Sequence, residues 1–395
     1  MKILMLSHGY PPVISGVTLV VQKVAREMVR RGHQVTVVTA SDRGGPYRDQ
    51  DQGVELLRVR SVPNPFWSEG RLPLLGFDRL HEILAKVQPD VINTHDSGLL
   101  GVQLYRLEQE KRHVHPPELL TCHYLPRYVI HYVNVVDTVD GVIEDITWEV
   151  TIRLINAFDH VIFPTQTQQQ AFIEEGLKTA SSVISNGLDI SRYHPDGSGE
   201  EEVVARYELP PGPRILVVGR LAKDKKIDVL IRAMADVTST HDAHLLLVGR
   251  GDDRERLEEL VDSLALRGHV HFLGFVPEED LPALYRHSDI FAIASDVEVQ
   301  SIPTLQAAAT GLPIVAAKAA ALPELVQNNT NGHLVPPDDP NALATAIRHI
   351  LDNPELAERL GKASLTIGRR HAEKETFDAY EELYRAYGQK VPVSF

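Results

Sequence analysis

The sequence has a single cysteine, no excess of basic residues, and no apolar run near the ~20 residues that a membrane-spanning helix requires. With Cys122 alone, no intramolecular disulfide can form, and a reducing compartment fits. The formal net charge is −14, which argues against nucleic acid as a partner, because phosphate backbones need basic surface. The acidity is uneven. Residues 1–190 hold 18 Lys+Arg and 22 Asp+Glu, a net −4, and the remainder carries −10. The first half is therefore the better suited to approach an anionic membrane. Met1-Lys-Ile-Leu-Met-Leu-Ser7 is too short for a signal peptide and reads as an opening strand, so a cytoplasmic location is expected. Without a secretory signal, the sequon Asn328-Asn-Thr330 is a chance match.

What is present is enough apolar material for sizeable cores: 43% of 395 residues, a length that favours two domains over one. Short β-branched runs alternate with amphipathic segments. Ile3–Leu6, Val35–Thr39, Val91–Thr94, Leu119–Cys122 and Val161–Phe163 read as buried parallel strands. Between the first two, Val17, Val20, Val21, Val24, Ala25 and Met28 recur at helical spacing, and Gly32 stops the helix. A stretch rich in breakers runs from His194 to Pro213. A second series of strands comes after it, at 215–218, 245–248, 270–273, 290–294 and 314–316. The expected fold is α/β: two doubly wound domains in tandem, with ligands at the carboxyl ends of the strands, around one cleft. The expected division is 1–195, a linker over 196–213, a second domain over 214–370, and a terminal segment 371–395.

The most informative stretch is Ser295-Asp-Val-Glu298-Val-Gln-Ser301-Ile302-Pro303-Thr-Leu-Gln306. It places a carboxylate in a loop after a buried strand, with Ser301 placed to cap a helix and Pro303 in its first turn. The unpaired N–H groups and positive dipole end of such a turn suit a phosphate. A second motif, Val218-Gly219-Arg220-Leu-Ala-Lys-Asp-Lys225-Lys226, puts two cations beside a tight turn, which a departing diphosphate needs. Physically this describes a binder of a phosphorylated, hydroxyl-rich ligand. Asp49-Gln-Asp51 is a literal DxD, but it reads as a polar loop with no strand before it, and no metal site is expected.

These motifs resemble the signature of the family 4 retaining glycosyltransferases. The resemblance covers nearly the whole chain and implies the GT-B fold of two Rossmann-like domains, with the last helix, here Glu373 to Ala386, crossing back onto the first domain. In the family two Glu residues eight positions apart contact the donor sugar and the nucleotide ribose. Glu298 matches the first; Gln306 stands at the second, a departure. The resemblance assigns the diphosphate to Arg220, Lys225 and the helix start at Ser301 and Ile302, with Gly where this chain has Lys226. It puts Gly219, Gly249 and Gly251 near the nucleotide, and Phe275-Val276 against the base. In the loop after the first strand, where the family often has two glycines, Gly16 remains. His123, in Thr121-Cys-His-Tyr-Leu-Pro126, is placed near the donor sugar and reaction centre.

The resemblance implies a hexosyltransferase that retains anomeric configuration, with a nucleotide-sugar donor, UDP-sugar ahead of GDP-sugar, and no cofactor or required metal. The flavour of the two long motifs is that of members making glycolipids, so a diacylglycerol-type lipid or glycolipid acceptor is expected. Basic Lys23, Arg26 and Arg30, with apolar Phe66, Trp67, Leu72, Leu74, Leu75, Phe77 and the stretch Tyr128–Val133, suit peripheral contact with the inner face of the plasma membrane. Three alternatives stand beside this: a weakened homologue serving as a non-enzymatic partner subunit, which Gln306 favours; a transferase with a small soluble acceptor; and another sugar-nucleotide enzyme such as an epimerase.

Overall fold

The run Ile3-Leu-Met-Leu6 is fully buried, as a strand covered on both faces requires, and forms the centre of the first of two sheets. The computed structural model describes the chain apart from residues 14, 65–69, 96–115, 127–139, 198–199 and 390–395. It divides into two units, Met1–Gly187 with Lys374–Phe395, and Leu188–Glu373.

Unit 1 is built on an eight-stranded sheet in the order β10-β9-β8-β7-β1-β2-β4-β3. The strands are β1 (Lys2–Ser7), β2 (Gln34–Ala40), β3 (Tyr47–Asp51), β4 (Val54–Val59), β7 (Val91–His95), β8 (Glu118–Thr121), β9 (His160–Phe163) and β10 (Ser181–Val183). All pair in parallel except β3, which runs antiparallel to β4 at the edge. A separate ribbon joins β5 (Ser61–Pro63) and β6 (Arg71–Pro73). The helix Gly16–Arg30 buries Val20, Val21, Val24, Ala25 and Met28, and starts with a reciprocal Ser15–Thr18 capping box. Gly32, at φ +87°, turns the chain away from it.

The helix Glu373–Gly388 belongs to unit 1 and is fastened there by tyrosines. Tyr384 Oη donates to Asn93 Oδ1 at 2.6 Å, and Tyr380 Oη lies 3.4 Å from Thr121 Oγ1. Near its middle, Glu381 accepts from Arg31 at 2.7 Å and sits 3.1 Å from His33.

Unit 2 has six parallel strands in the order β13-β12-β11-β14-β15-β16. They are β11 (Arg214–Val218), β12 (His244–Val248), β13 (Val270–Gly274), β14 (Ile290–Ile293), β15 (Ile314–Ala317) and β16 (Gly332–Val335). Alternation along the strands feeds two cores. Ile215, Leu245, Leu247 and Ile290 enter one; Leu216, Leu246, Phe291 and Ile293 enter the other. The chain passes from β11 outward to β13, then returns to lay β14 on the other side of β11, a reversal that leaves a crevice for ligands.

Three expectations are corrected. Asp49-Gln-Asp51 is part of the edge strand β3, not a loop. Asp51 is spent on protein partners: Arg26 donates to it twice, at 2.9 and 2.6 Å, Tyr10 at 2.7 Å and Gln22 at 2.9 Å. This takes Arg26 out of the basic helix face, and Arg30 pairs with Glu27 at 2.5 Å. Residues 200–213, within the expected linker, contain a helix, Glu201–Arg206, and pack within unit 2 through Arg206–Asp280 (2.6 Å), Tyr207–Asp280 (2.7 Å) and Glu200–Arg286. The density of breakers reflects sharp turns within unit 2 there. Of the apolar cluster, Leu72 and Leu74 are exposed, Leu75 is buried and Phe77 packs against the core. Phe66, Trp67 and Tyr128–Val133 lie outside the described residues.

Candidate active site

The loops that come after β11 and β14 flank the reversal of strand order in unit 2. Ser295 Oγ ties them together by donating to the Asp224 carbonyl at 3.0 Å. Lys225 Nζ then lies 2.6 Å from Glu298 Oε1 and 3.6 Å from Asp224 Oδ2, while Arg220 reaches Asp224 at 3.4 Å. The Lys225 and Glu298 side chains are 23% and 13% exposed, so this pair is largely withdrawn from water. Burial works against the lysine's charge, but the carboxylates of Glu298 and Asp224 outweigh it and hold the pKa above the ordinary lysine value. The result is a compact, protonated cation bonded to the carboxylate in the loop after β14, with half-exposed Arg220 beside it.

Lys226 sits at φ 51°, ψ 37°, a left-handed conformation in which glycine carries no Cβ penalty. This explains why the family places Gly there. Here the side chain is held by Asp338 at 3.0 Å and Asp296 at 3.7 Å.

Gly249 and Gly251 are required for packing. A Cβ on Gly249, whose φ is +137°, would stand 1.8 Å from the Gly219 carbonyl oxygen, and one on Gly251 would stand 2.2 Å from that of Leu221. The β12 loop thus lies directly on the β11 loop, joined by Leu221 N–H to Arg250 O at 2.9 Å and Asp253 N–H to Leu221 O at 3.0 Å. Gly219 itself faces open space. After β13, Phe275 is 50% exposed, with the Arg250 guanidinium 5.6 Å from its ring centre, whereas Val276 is buried in the core.

The helix Ile302–Ala309 begins at Ser301, whose Oγ accepts from Thr304 N–H at 3.3 Å. Pro303 carries no N–H and Thr304 N–H is spent on Ser301 Oγ, so of the four amides that open the helix those of Ser301 and Ile302 remain. Gln306 is buried on this helix. Tyr285 Oη donates to its Oε1 at 2.8 Å, which leaves the amide nitrogen as the donor group.

In unit 1, Gly16 is the first residue of its helix. His123 stands just after β8, and its Nε2 lies 3.1 Å from His95 Nδ1, the rings stacked at 5.4 Å. His95 ends β7, in register with Thr121. The sequence reading missed His95; a histidine at the carboxyl end of a strand, as at His123, was the available signal. It also missed Asp224, legible as an acid between two cations, and Tyr285, for which no local signal exists.

Two units of mainly parallel, doubly wound sheet define the GT-B class of glycosyltransferases. Sucrose-phosphate synthase from Thermosynechococcus elongatus has the same fold, with a TM-score of 0.80 at 23% identity over 98% of this chain and 99% of the other. HepE of Anabaena, solved in complex with UDP, gives 0.76 at 21% over 98% and 100%. The model Glycosyltransferase Family 4 matches residues 14–192, and Glycosyl transferases group 1 matches 201–366. The two matches together span most of the chain, and it belongs to glycosyltransferase family 4. An uncharacterized glycosyltransferase of Methanocaldococcus jannaschii is 29% identical over 89% of this chain and 90% of its own. The alpha-monoglucosyldiacylglycerol synthase of Acholeplasma laidlawii is 24% identical over 97% and 96%. No helix among the described residues is long and apolar enough to cross a membrane.

Proposed function

We propose that this glycosyltransferase moves a hexose from a UDP-sugar to a hydroxyl of a diacylglycerol-type lipid or glycolipid, with retention of configuration. The observation that carries the reading is the Lys225–Glu298 pair, with Arg220, at the reversal point of the unit 2 sheet. In the free enzyme Lys225 neutralises Glu298 at 2.6 Å. An arriving diphosphate competes for Lys225 and Arg220, and Glu298 is released to accept hydrogen bonds from the sugar hydroxyls. As the bond between the anomeric carbon and the diphosphate oxygen breaks, the electron pair stays on that oxygen. Arg220, Lys225 and the Ile302 amide meet the growing charge there. The acceptor oxygen bonds to the same face of the sugar, and its proton passes to the departing diphosphate. Phe275 and the backbone of Val276 are assigned to the base, and Gln306, through its amide nitrogen, to the ribose. His123, steadied by His95, is assigned to orient hydroxyl groups in unit 1.

The lipid acceptor rests on relatives named for glucosyldiacylglycerol synthesis, and the uridine donor on neighbours solved with UDP. Exposed Leu72 and Leu74 are the apolar surface assigned to peripheral membrane contact. The test is incubation with UDP- and GDP-sugars and diacylglycerol vesicles, with the product linkage read by nuclear magnetic resonance. A retained-configuration glycolipid and released UDP are expected. A soluble glycoside alone would redirect the acceptor, and an absence of transfer from every donor would leave the non-enzymatic reading.

A further inference from the structure

The amino ends of the unit 2 strands, opposite the loops that carry Lys225 and Glu298, hold a second concentration of chemistry. His244 opens β12, and His269 stands immediately before β13. The parallel register Leu245↔Val270 sets these two histidines side by side. Their rings stack at 5.4 Å with an interplanar angle of 25°. Asp242, two residues upstream of His244, completes the group. Its Oδ1 lies 3.9 Å from His244 Nε2 and 3.9 Å from His269 Nδ1. One ligand atom from each of the three residues lies within 4.8 Å of the others. The cluster is separated from the Gly249 turn by the length of β12, roughly 16 Å for five residues at ~3.3 Å each.

His271 Nε2 lies 3.2 Å from His244 Nδ1, which orients the His244 ring and directs its Nε2 toward Asp242. His269 Nδ1 lies 3.0 Å from the Ala243 carbonyl oxygen, to which it donates, so this nitrogen binds an ion only by giving up that hydrogen bond and its proton. Two imidazoles and one carboxylate form a borderline donor set that suits zinc and its neighbours; magnesium and calcium prefer oxygen alone. Ligand atoms around a tetrahedral zinc with bonds of about 2.0–2.1 Å lie roughly 3.4 Å apart. The two 3.9 Å gaps to Asp242 need a small contraction that its 84% exposed side chain can make, and the histidine ligand atoms, within 4.8 Å of each other, must draw together as well.

We propose that Asp242, His244 and His269 form a binding site for a zinc-class dication, with His271 as the outer partner of His244. Three protein ligands leave one position for water. The ion links the edge strand β13 to β12 and takes no part in sugar transfer, so this site is independent of the proposed transferase function.

The test is calorimetric titration of metal-stripped full chain with Zn²⁺ alone, with Mg²⁺ as a control. One equivalent of zinc is expected to bind, and magnesium is not. Asp242→Asn and His269→Gln, both at accessible side chains, are each expected to weaken binding about tenfold or more. His349→Gln, which alters the separate His333–His349 contact of 3.2 Å, is expected to leave it unchanged. Failure of the wild-type chain to bind zinc overturns the site, as does binding indifferent to the Asp242 and His269 changes. Should a variant misfold, the anomalous peak of a zinc-soaked wild-type crystal decides: density at these three residues supports the site, and density elsewhere refutes it.

Discussion

Lys225 answers to three demands: it neutralises Glu298, it stays charged while mostly buried, and in the proposed reaction it meets the diphosphate. Lys225→Ala leaves a largely buried carboxylate without its cation and removes one stabiliser of the developing charge. The expected loss is about 10²–10³-fold in kcat, the scale for one preorganised electrostatic contact, as measured by UDP release. At Gln306 the expectation runs the other way. A carboxylate there could accept from Tyr285 and from ribose at once. Charge-assisted hydrogen bonds exceed neutral ones by on the order of 1 kcal/mol, so Gln306→Glu should tighten UDP binding roughly five- to tenfold by calorimetry. Unchanged or weaker affinity would count against the ribose assignment.

At the level of elements, the β11 and β12 loops act as a stacked pair, and their glycines play opposite parts. Gly251 is pinned beneath the Leu221 carbonyl, so Gly251→Ala must displace backbone. Its cost should be about 1–3 kcal/mol, the scale of an overpacked core, seen as a lowered Tm. Gly219 has open space around it, so Gly219→Ala should leave stability within about 0.5 kcal/mol of wild type and Tm nearly unchanged. If donor phosphates come close to that backbone, the same change should raise the Kd for UDP. Equal Tm losses in both variants would refute the distinction.

For the molecule as a whole, acid sensitivity is expected where the terminal helix docks on unit 1. Arg385 and Arg31, through hydrogen bonds to its carboxylate, push Glu381 down to about 2. A carboxylate depressed in the folded state adds stability above its unfolded pKa of about 4.3, and that stability fades as pH falls toward 2. Glu381→Gln should therefore lower stability at pH 7 by roughly 1–2 kcal/mol for a networked contact, seen as a lower Tm, and the gap from wild type should close on acidification. A gap constant down to pH 2.5 would exclude this linkage. The two units also differ in chain continuity. Leu188–Glu373 is one uninterrupted segment, whereas unit 1 needs Lys374 onward to give buried Asn93 its tyrosine partner. A fragment of residues 188–373 should fold and retain UDP binding, and residues 1–187 alone should not fold stably.

Sequence by itself determined the central strands of both sheets (but not β3, β4, β10 and β16 nor the β5–β6 ribbon), the first helix with its stop at Gly32, and the residue types of the sugar-nucleotide motifs. Each of these depends on backbone periodicity or on spacing within a few residues, which physics ties directly to local order. Only the tertiary structure decided that Lys225 would grip Glu298 across 73 positions, that His95 would back His123, and that the DxD aspartate would serve Arg26. It also decided that the breaker-rich chain over 200–213 would be packed, and that Gly249 and Gly251 are demanded by a neighbouring loop. Such pairings depend on which strands lie adjacent after long crossovers. That order emerges from burying two sheets on both faces at once, and no short window of sequence contains it.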